Sequence, residues 1–163
     1  MALEIEKILD ATGWLLLQEL QENARLSYSE LGQRLGLSAP AIAERIRRME
    51  EAGIITGYHA QVEMSKLGLP VTAIIRLSSV AGQSCNLVAE RASQIPEVVE
   101  CFRVTGSDSV VTKVVATSIA HLERILDQLT LHGVPTTSIV LSKPMQRHTI
   151  TRTIVERGEE GTT

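Results

Sequence analysis

SYSELGQRLGLSAPAIAERIRRMEEAGIITGY, residues 27–58, carries the local chemistry of two short helices joined by a tight turn. Ser27 and Glu30 have the spacing of a capping box, in which hydroxyl and carboxylate satisfy each other's orphan amides and open a helix. Leu31 and Leu35 give that helix an apolar stripe. Gly36 can take the left-handed conformation that ends it, and Ser38 can cap a second helix whose first turn accepts Pro40. From Ile42, steps of about 100° per residue put Ile46 and Met49 on the same face, with Glu44, Arg47 and Arg48 pointing away and Arg45 at the flank. A buried seam and an arginine-lined outer face, held by a tight turn, are what a helix-turn-helix needs to enter a major groove. On that reading Ser38, Pro40, Ala41, Glu44 and Arg48 face base edges or the groove wall, while Arg34, Arg45 and Arg47 reach phosphates of double-stranded DNA.

Charge distribution points the same way. The formal net charge is −3, which argues against coating nucleic acid by charge alone. Yet Arg25, Arg34, Arg45, Arg47 and Arg48 face only Glu30 and Glu44 between residues 25 and 48, whereas the preceding segment holds Glu4, Glu6, Asp10, Glu19 and Glu22 against Lys7. A charged helix face is often just solvated; the turn chemistry raises this one above that reading.

Working outward, Leu3 to Leu9 predicts a short amphipathic helix, and Asp10 can cap the next, in which Trp14, Leu17 and Leu20 close a three-helix core. Gly53 ends the arginine helix, and residues 54–62 alternate as a strand leading out of the domain. One helical turn follows at Met64 to Gly68. Then Val71, Ala73, Ile75 and Leu77 share a strand face; Leu87, Val88, Ala92 and Ile95 follow helical spacing. Residues 98–104 and 110–116 are β-rich, Leu122, Ile125, Leu126 and Leu129 make a second helix stripe, and Ser138 to Leu141 is a last strand. The order βαββαβ predicts a ferredoxin-like antiparallel sheet with both helices on one side, and Thr105-Gly106-Ser107-Asp108 supplies the middle hairpin. The other sheet face, with Thr72, Ile74, Arg76 and Ser78, is free to meet a copy of itself. The division is a helix-turn-helix domain with its linker strand at 1–62, a ferredoxin-like domain at 63–156 and a polar tail at 157–163.

Other chemistries lack their residues. Cys85 and Cys101 are too few for a disulfide framework and read as reduced thiols. The four histidines, His59, His121, His132 and His148, have no metal-like spacing, and neither a phosphate loop nor a G-x-S-x-G elbow occurs, so no enzyme, metal or cofactor is expected. The start carries alternating charges rather than a secretory signal, and no apolar run spans a bilayer. Both imply a cytoplasmic, nucleoid-associated protein with no membrane partner.

Leu35-Gly36-Leu37-Ser38, followed by Glu44-Arg45-Ile46-Arg47-Arg48-Met49-Glu50, Gly53-Ile54-Ile55 and Gly57-Tyr58, resembles the leucine-responsive regulatory protein/AsnC (feast/famine) family. Asn23-Ala24-Arg25-Leu26-Ser27 extends the match, which runs along nearly the whole chain. The resemblance implies an α+β protein with an N-terminal winged helix-turn-helix and a ferredoxin-like ligand-response domain. It implies homodimers paired through that domain, four of which often build an octamer, and a transcription regulator answering a small effector such as an amino acid. The family's middle hairpin usually reads G-D-x-D/Y and borders the effector site. Here Gly106-Ser107-Asp108-Ser109 puts hydroxyls at both acidic positions and displaces Asp108 by one. An ammonium group would lose a charged hydrogen bond there, at a cost of about 1.5–3 kcal/mol, unless Asp108 replaces it. The competing readings are a plain hairpin turn for that run and, for the whole protein, an architectural DNA-wrapping role with weak sequence choice.

Overall fold

A computed structural model describes residues 2–78, 84–145 and 147–160. The chain divides into two compact units, one holding the residues up to Ala60 together with those from Met145 onward, the other Gln61–Pro144. No helix among the described residues is long and apolar enough to cross a membrane.

The first unit begins with α1 (Ala2–Ile8) and α2 (Ala11–Glu22), followed by α3 (Tyr28–Leu35) and α4 (Ala39–Glu51). Leu16, Leu20, Leu31, Ile42, Ile46 and Met49 form its core. The seam expected on α4 is therefore the buried one. On α2 the expectation holds for Leu20 and fails for the other two: Gly13, Leu16 and Leu20 are buried, while Trp14 and Leu17 are only half-buried. The Gly13 face wins because a Cβ there would sit 2.2 Å from the Ile8 carbonyl oxygen, so only glycine lets α2 approach the end of α1. Residues 54–62 are not a strand. Ile54 and Ile55 both donate their amides to the Met49 carbonyl and pack on the core, so the segment completes the helix end, and a lone strand would have no ladder to join.

The second unit opens with a single 3-10 turn at Met64–Leu67 and continues as β1 (Val71–Ser78), α5 (Cys85–Ser93), β2 (Val98–Arg103), β3 (Val110–Ala116), α6 (Ile119–Thr130) and β4 (Val134–Ile139). The antiparallel sheet runs β2-β3-β1-β4, the ferredoxin-like order. Ala73, Ile75, Leu77, Val110 and Val114 meet Val88, Ala92, Leu122, Ile125 and Leu129 of the two helices in one core. β4 starts four residues earlier than expected. Gly133 passes so near the Ser78 carbonyl that a Cβ would lie at 2.9 Å, which brings the chain onto β1 at once, and Pro135 is tolerated because β4 is an edge strand.

The C-terminal segment departs from expectation twice. Residues from Met145 belong with the first unit, and α7 (Arg152–Glu160) is helical where a frayed tail was expected from Arg157. An Arg152–Glu156 pair four residues apart supports its first turns. The last three residues of that tail lie outside the described residues.

Candidate nucleic-acid interface and ligand loop

The turn between α3 and α4 is built from caps. Ser27 accepts the Glu30 amide at 3.2 Å and donates its own amide to Glu30 Oε2 at 2.7 Å, so the capping box is complete. Gly36 is left-handed (φ 67°), and its amide and that of Leu37 both donate to the Gly32 carbonyl. Ser38 caps α4 through the Ala41 amide, with Pro40 in the first turn. Gly32 was missed as a key residue. A Cβ on it would stand 2.4 Å from the Leu37 carbonyl oxygen, so the turn closes only over a bare Cα. The signal was present, since an isolated glycine inside a helical pattern costs about 1 kcal/mol against alanine and calls for a packing reason.

Ser38, Pro40, Glu44, Arg47 and Arg48 are exposed on the outer side of this element, with Ala41 half-buried. The arginines differ in what already holds them. Arg47 forks onto Glu44 at 2.8 and 2.9 Å and also pairs with Glu51, so it is charge-neutralised along its own helix. Arg34 pairs with Glu19 of α2. Arg45 reaches Asp10 with both terminal nitrogens, at 3.0 and 2.9 Å. Asp10 is also the N-cap of α2, accepting the Gly13 amide at 2.7 Å, so this bidentate pair aims α4 against the start of α2. Arg48 is the α4 arginine with no ion-pair partner among the described residues.

These contacts set a pH dependence. The Arg45 guanidinium holds the Asp10 carboxyl below its ordinary range, and the Ser27 amide and hydroxyl do the same for Glu30. A depressed folded pKa contributes stability that is complete above the unfolded carboxylate range and lost as pH falls through the folded value. The first unit should therefore lose stability below about pH 4. Arg45→Met should shrink that acid-dependent part, read from Trp14 fluorescence in melts between about pH 6 and pH 2. An acid limb identical to the parent's would count against the Asp10 pairing as its source.

In the second unit, Gly106 and Ser107 are exposed at the β2–β3 hairpin, and Asp108 and Ser109 are half-buried beside the end of β1. Asp108 accepts the Ser78 hydroxyl at 3.1 Å, and its other oxygen lies 3.9 Å from Arg76 Nε. The Ser109 amide donates to the Leu77 carbonyl. The Ser109 carbonyl accepts the Val104 amide at 3.1 Å, which closes the β2–β3 hairpin, and the run also presents a carboxylate with a cation and a hydroxyl on neighbouring positions. A contact no sequence spacing suggested joins His121 Nε2 to Glu97 at 3.0 Å, with Nδ1 accepting from the Thr117 amide at 3.3 Å. Since Nδ1 is the acceptor, the ring proton sits on Nε2 and the imidazole ties the start of α6 to the turn before β2.

Two family models match: a winged helix-turn-helix DNA-binding domain at residues 9–56 and an Lrp/AsnC ligand binding domain at 72–150. An uncharacterized HTH-type transcriptional regulator, YezC of Bacillus subtilis, is 45% identical over 134 residues, covering 82% of this chain and 94% of its own. The proline dehydrogenase transcriptional activator of Rhodobacter capsulatus is 37% identical, over 74% of this chain and 80% of its own. Among solved structures, the transcriptional regulator NMB0573 of Neisseria meningitidis, in complex with L-methionine, superposes with a TM-score of 0.83. It is 29% identical and covers 90% of this chain and 99% of its own.

Proposed function

This chain belongs to the Lrp/AsnC family and is a DNA-binding transcriptional regulator, and we propose from that premise how its own residues divide the work. α4 enters the major groove. Ser38, Pro40, Ala41, Glu44 and Arg48 meet base edges or the groove wall, and Arg47 and Arg34 meet phosphates once DNA competes for them. Arg45 acts from behind, through Asp10, by fixing the angle of α4. The observation that carries this reading is the exposed Arg48, without an ion-pair partner among the described residues, on a helix whose opposite face is committed to the core.

Arg48→Ala should weaken binding and lower the slope of log affinity against log salt by about one if Arg48 lies on a phosphate, or relax preference at particular base pairs if it reads an edge. Glu44→Ala should relax base preference without lowering the slope. Titrations of a defined promoter and a random duplex at several salt concentrations separate these outcomes. Two variants that bind both duplexes like the parent would remove α4 from the groove.

The protein works as a homodimer through the open face of its sheet, in the cytoplasm and on the nucleoid, without enzymatic activity. Its effector is an amino acid bound beside Gly106, Ser107, Asp108 and Ser109. The neighbouring methionine complex supports that ligand class, and Arg76 and Asp108 supply one partner for a carboxylate and one for an ammonium. A thermal-shift panel of the common amino acids should raise the melting temperature for at least one of them, and Asp108→Ala should cancel the rise. A panel without any shift would leave the loop a hairpin turn only.

A further inference from the structure

Residues 128–155 contain no aspartate or glutamate, in a chain that has 19 of them. Within that stretch, residues 147–152 read RHTITR, with Arg147 and His148 exposed and Arg147 without an ion-pair partner among the described residues. This segment lies in the first unit, with the helix-turn-helix. One side chain secures it there. The Gln21 carboxamide donates from Nε2 to the Ile150 carbonyl at 2.9 Å and accepts the Ile150 amide on Oε1 at 2.9 Å. Both backbone groups of Ile150 are thereby held as they would be in an antiparallel ladder, by a residue of α2 rather than a strand. The Lrp/AsnC ligand-binding model ends at residue 150, so the last two residues of this arm and all of α7 lie beyond it.

We propose that residues 147–152 form a second DNA contact, a basic arm laid on the phosphate backbone beside the helix-turn-helix and positioned by Gln21. The inference rests on the DNA-binding reading of α4. Gln21 is near the C-terminal end of α2, six residues before Ser27, the cap of α3. In a helix-turn-helix that first helix of the pair crosses the backbone while the second enters the groove, so a cationic segment tied here is on the flank of the site. A cation held at a fixed place needs little further ordering to meet a phosphate, whereas a loose one surrenders side-chain and backbone freedom. Exposure of Arg147 and the absence of nearby acid in sequence leave its charge available. The partner is the duplex backbone, read for charge and not for sequence.

The test uses the full chain on one duplex with generous flanks, comparing the parent with Arg147→Gln, Gln21→Ala and Arg48→Ala across about 50–200 mM salt. One phosphate contact contributes a slope of about 0.9, which is roughly a 3.5-fold affinity change over that range. Arg147→Gln should lose about one such contact. Gln21→Ala should keep every charge yet lose the protection of outer phosphates in a hydroxyl-radical footprint. Parent-like slope and footprint in both arm variants, beside a changed Arg48→Ala, would overturn the arm and leave the helix-turn-helix reading standing. Parent-like behaviour in all three variants would overturn that reading and the arm with it.

Discussion

Gly32→Ala is expected to destabilise the first unit by about 3 kcal/mol, against the usual sign of a glycine-to-alanine change inside a helix. Helix propensity alone favours alanine by about 1 kcal/mol. The added Cβ, however, would stand 2.4 Å from the Leu37 carbonyl oxygen, and a backbone atom cannot swing aside as a flexible side chain can. Relief requires opening the turn that carries Gly36, Leu37 and Ser38. That would pull the Leu37 amide from the Gly32 carbonyl, at 2.9 Å, and move the Ser38 cap of α4. Trp14, the only tryptophan, lies half-buried on α2 and reports this unit separately from the other. For a domain of this size the melting temperature should fall by about 10–20 °C, with DNA binding lost along with it. Gly36→Ala is the control: nothing lies within 4 Å of its Cβ position, so only the left-handed backbone is penalised, at about 1–2 kcal/mol. A Gly32→Ala chain that melts at or above the parent's temperature would show that the turn does not depend on that close approach.

The contrast between these two glycines marks what sequence could show. Gly36 was legible because a left-handed helix stop is a local event, decided by the residue and its immediate neighbours, as were the Ser27 and Ser38 caps. Gly32 stood out as a glycine inside a helical pattern, but its reason was hidden, because it lies five residues away on a backbone whose path was not yet known. The same divide runs through the rest. The β1 stripe of Ala73, Ile75 and Leu77 followed from strict alternation, and the βαββαβ order followed from period changes along the chain. On α2, spacing pointed to Trp14, Leu17 and Leu20; the close approach of Gly13 to the Ile8 carbonyl, invisible in sequence, turns Leu16 inward with Leu20 instead. Residues 54–62 alternate well enough for a strand, but alternation cannot supply the partner a strand needs. At the interface, the arginines were visible as cations on α3 and α4, while Asp10 and Glu19, the partners of Arg45 and Arg34, lie at the start of α2 and within it, so the difference between a committed Arg45 and an available Arg48 appeared only in three dimensions.

A chain carrying Ile74→Asp and Phe102→Asp together should remain folded, run as a monomer and bind its operator about 100-fold or more weakly. Both residues lie on the sheet face opposite the helices: Ala73, Ile75 and Leu77 alternate inward with Ile74, and Phe102 pairs in register with Val111. Phe102 is 53% exposed in the single chain, an unusual position for a large apolar ring unless another surface covers it. The register places Ile74 beside Lys113, and Phe102 shares a row with Arg76 through Val111. Lys113 already holds Glu100 at 2.6 Å and Arg76 is two strands from Phe102, so neither new carboxylate gains a ready partner; but neither side chain belongs to the core between sheet and helices, so the penalty falls on the interface and the monomer keeps its core. Against a second copy the same change replaces two apolar contacts by charges that must be desolvated, twice over by symmetry. The loss of affinity follows from linkage between half-sites. When two heads are joined, the second binds at an effective concentration near the millimolar range, and separating them forfeits about 10²–10⁴ in avidity with α4 untouched. Sedimentation gives the mass, circular dichroism the fold, and a titration against one half-site and two gives the coupling. A parent that sediments as a monomer, or a double variant that stays dimeric and binds the two-half-site duplex like the parent, would move the interface elsewhere. A variant that dissociates but holds the paired site undiminished would instead show that each head reads DNA alone.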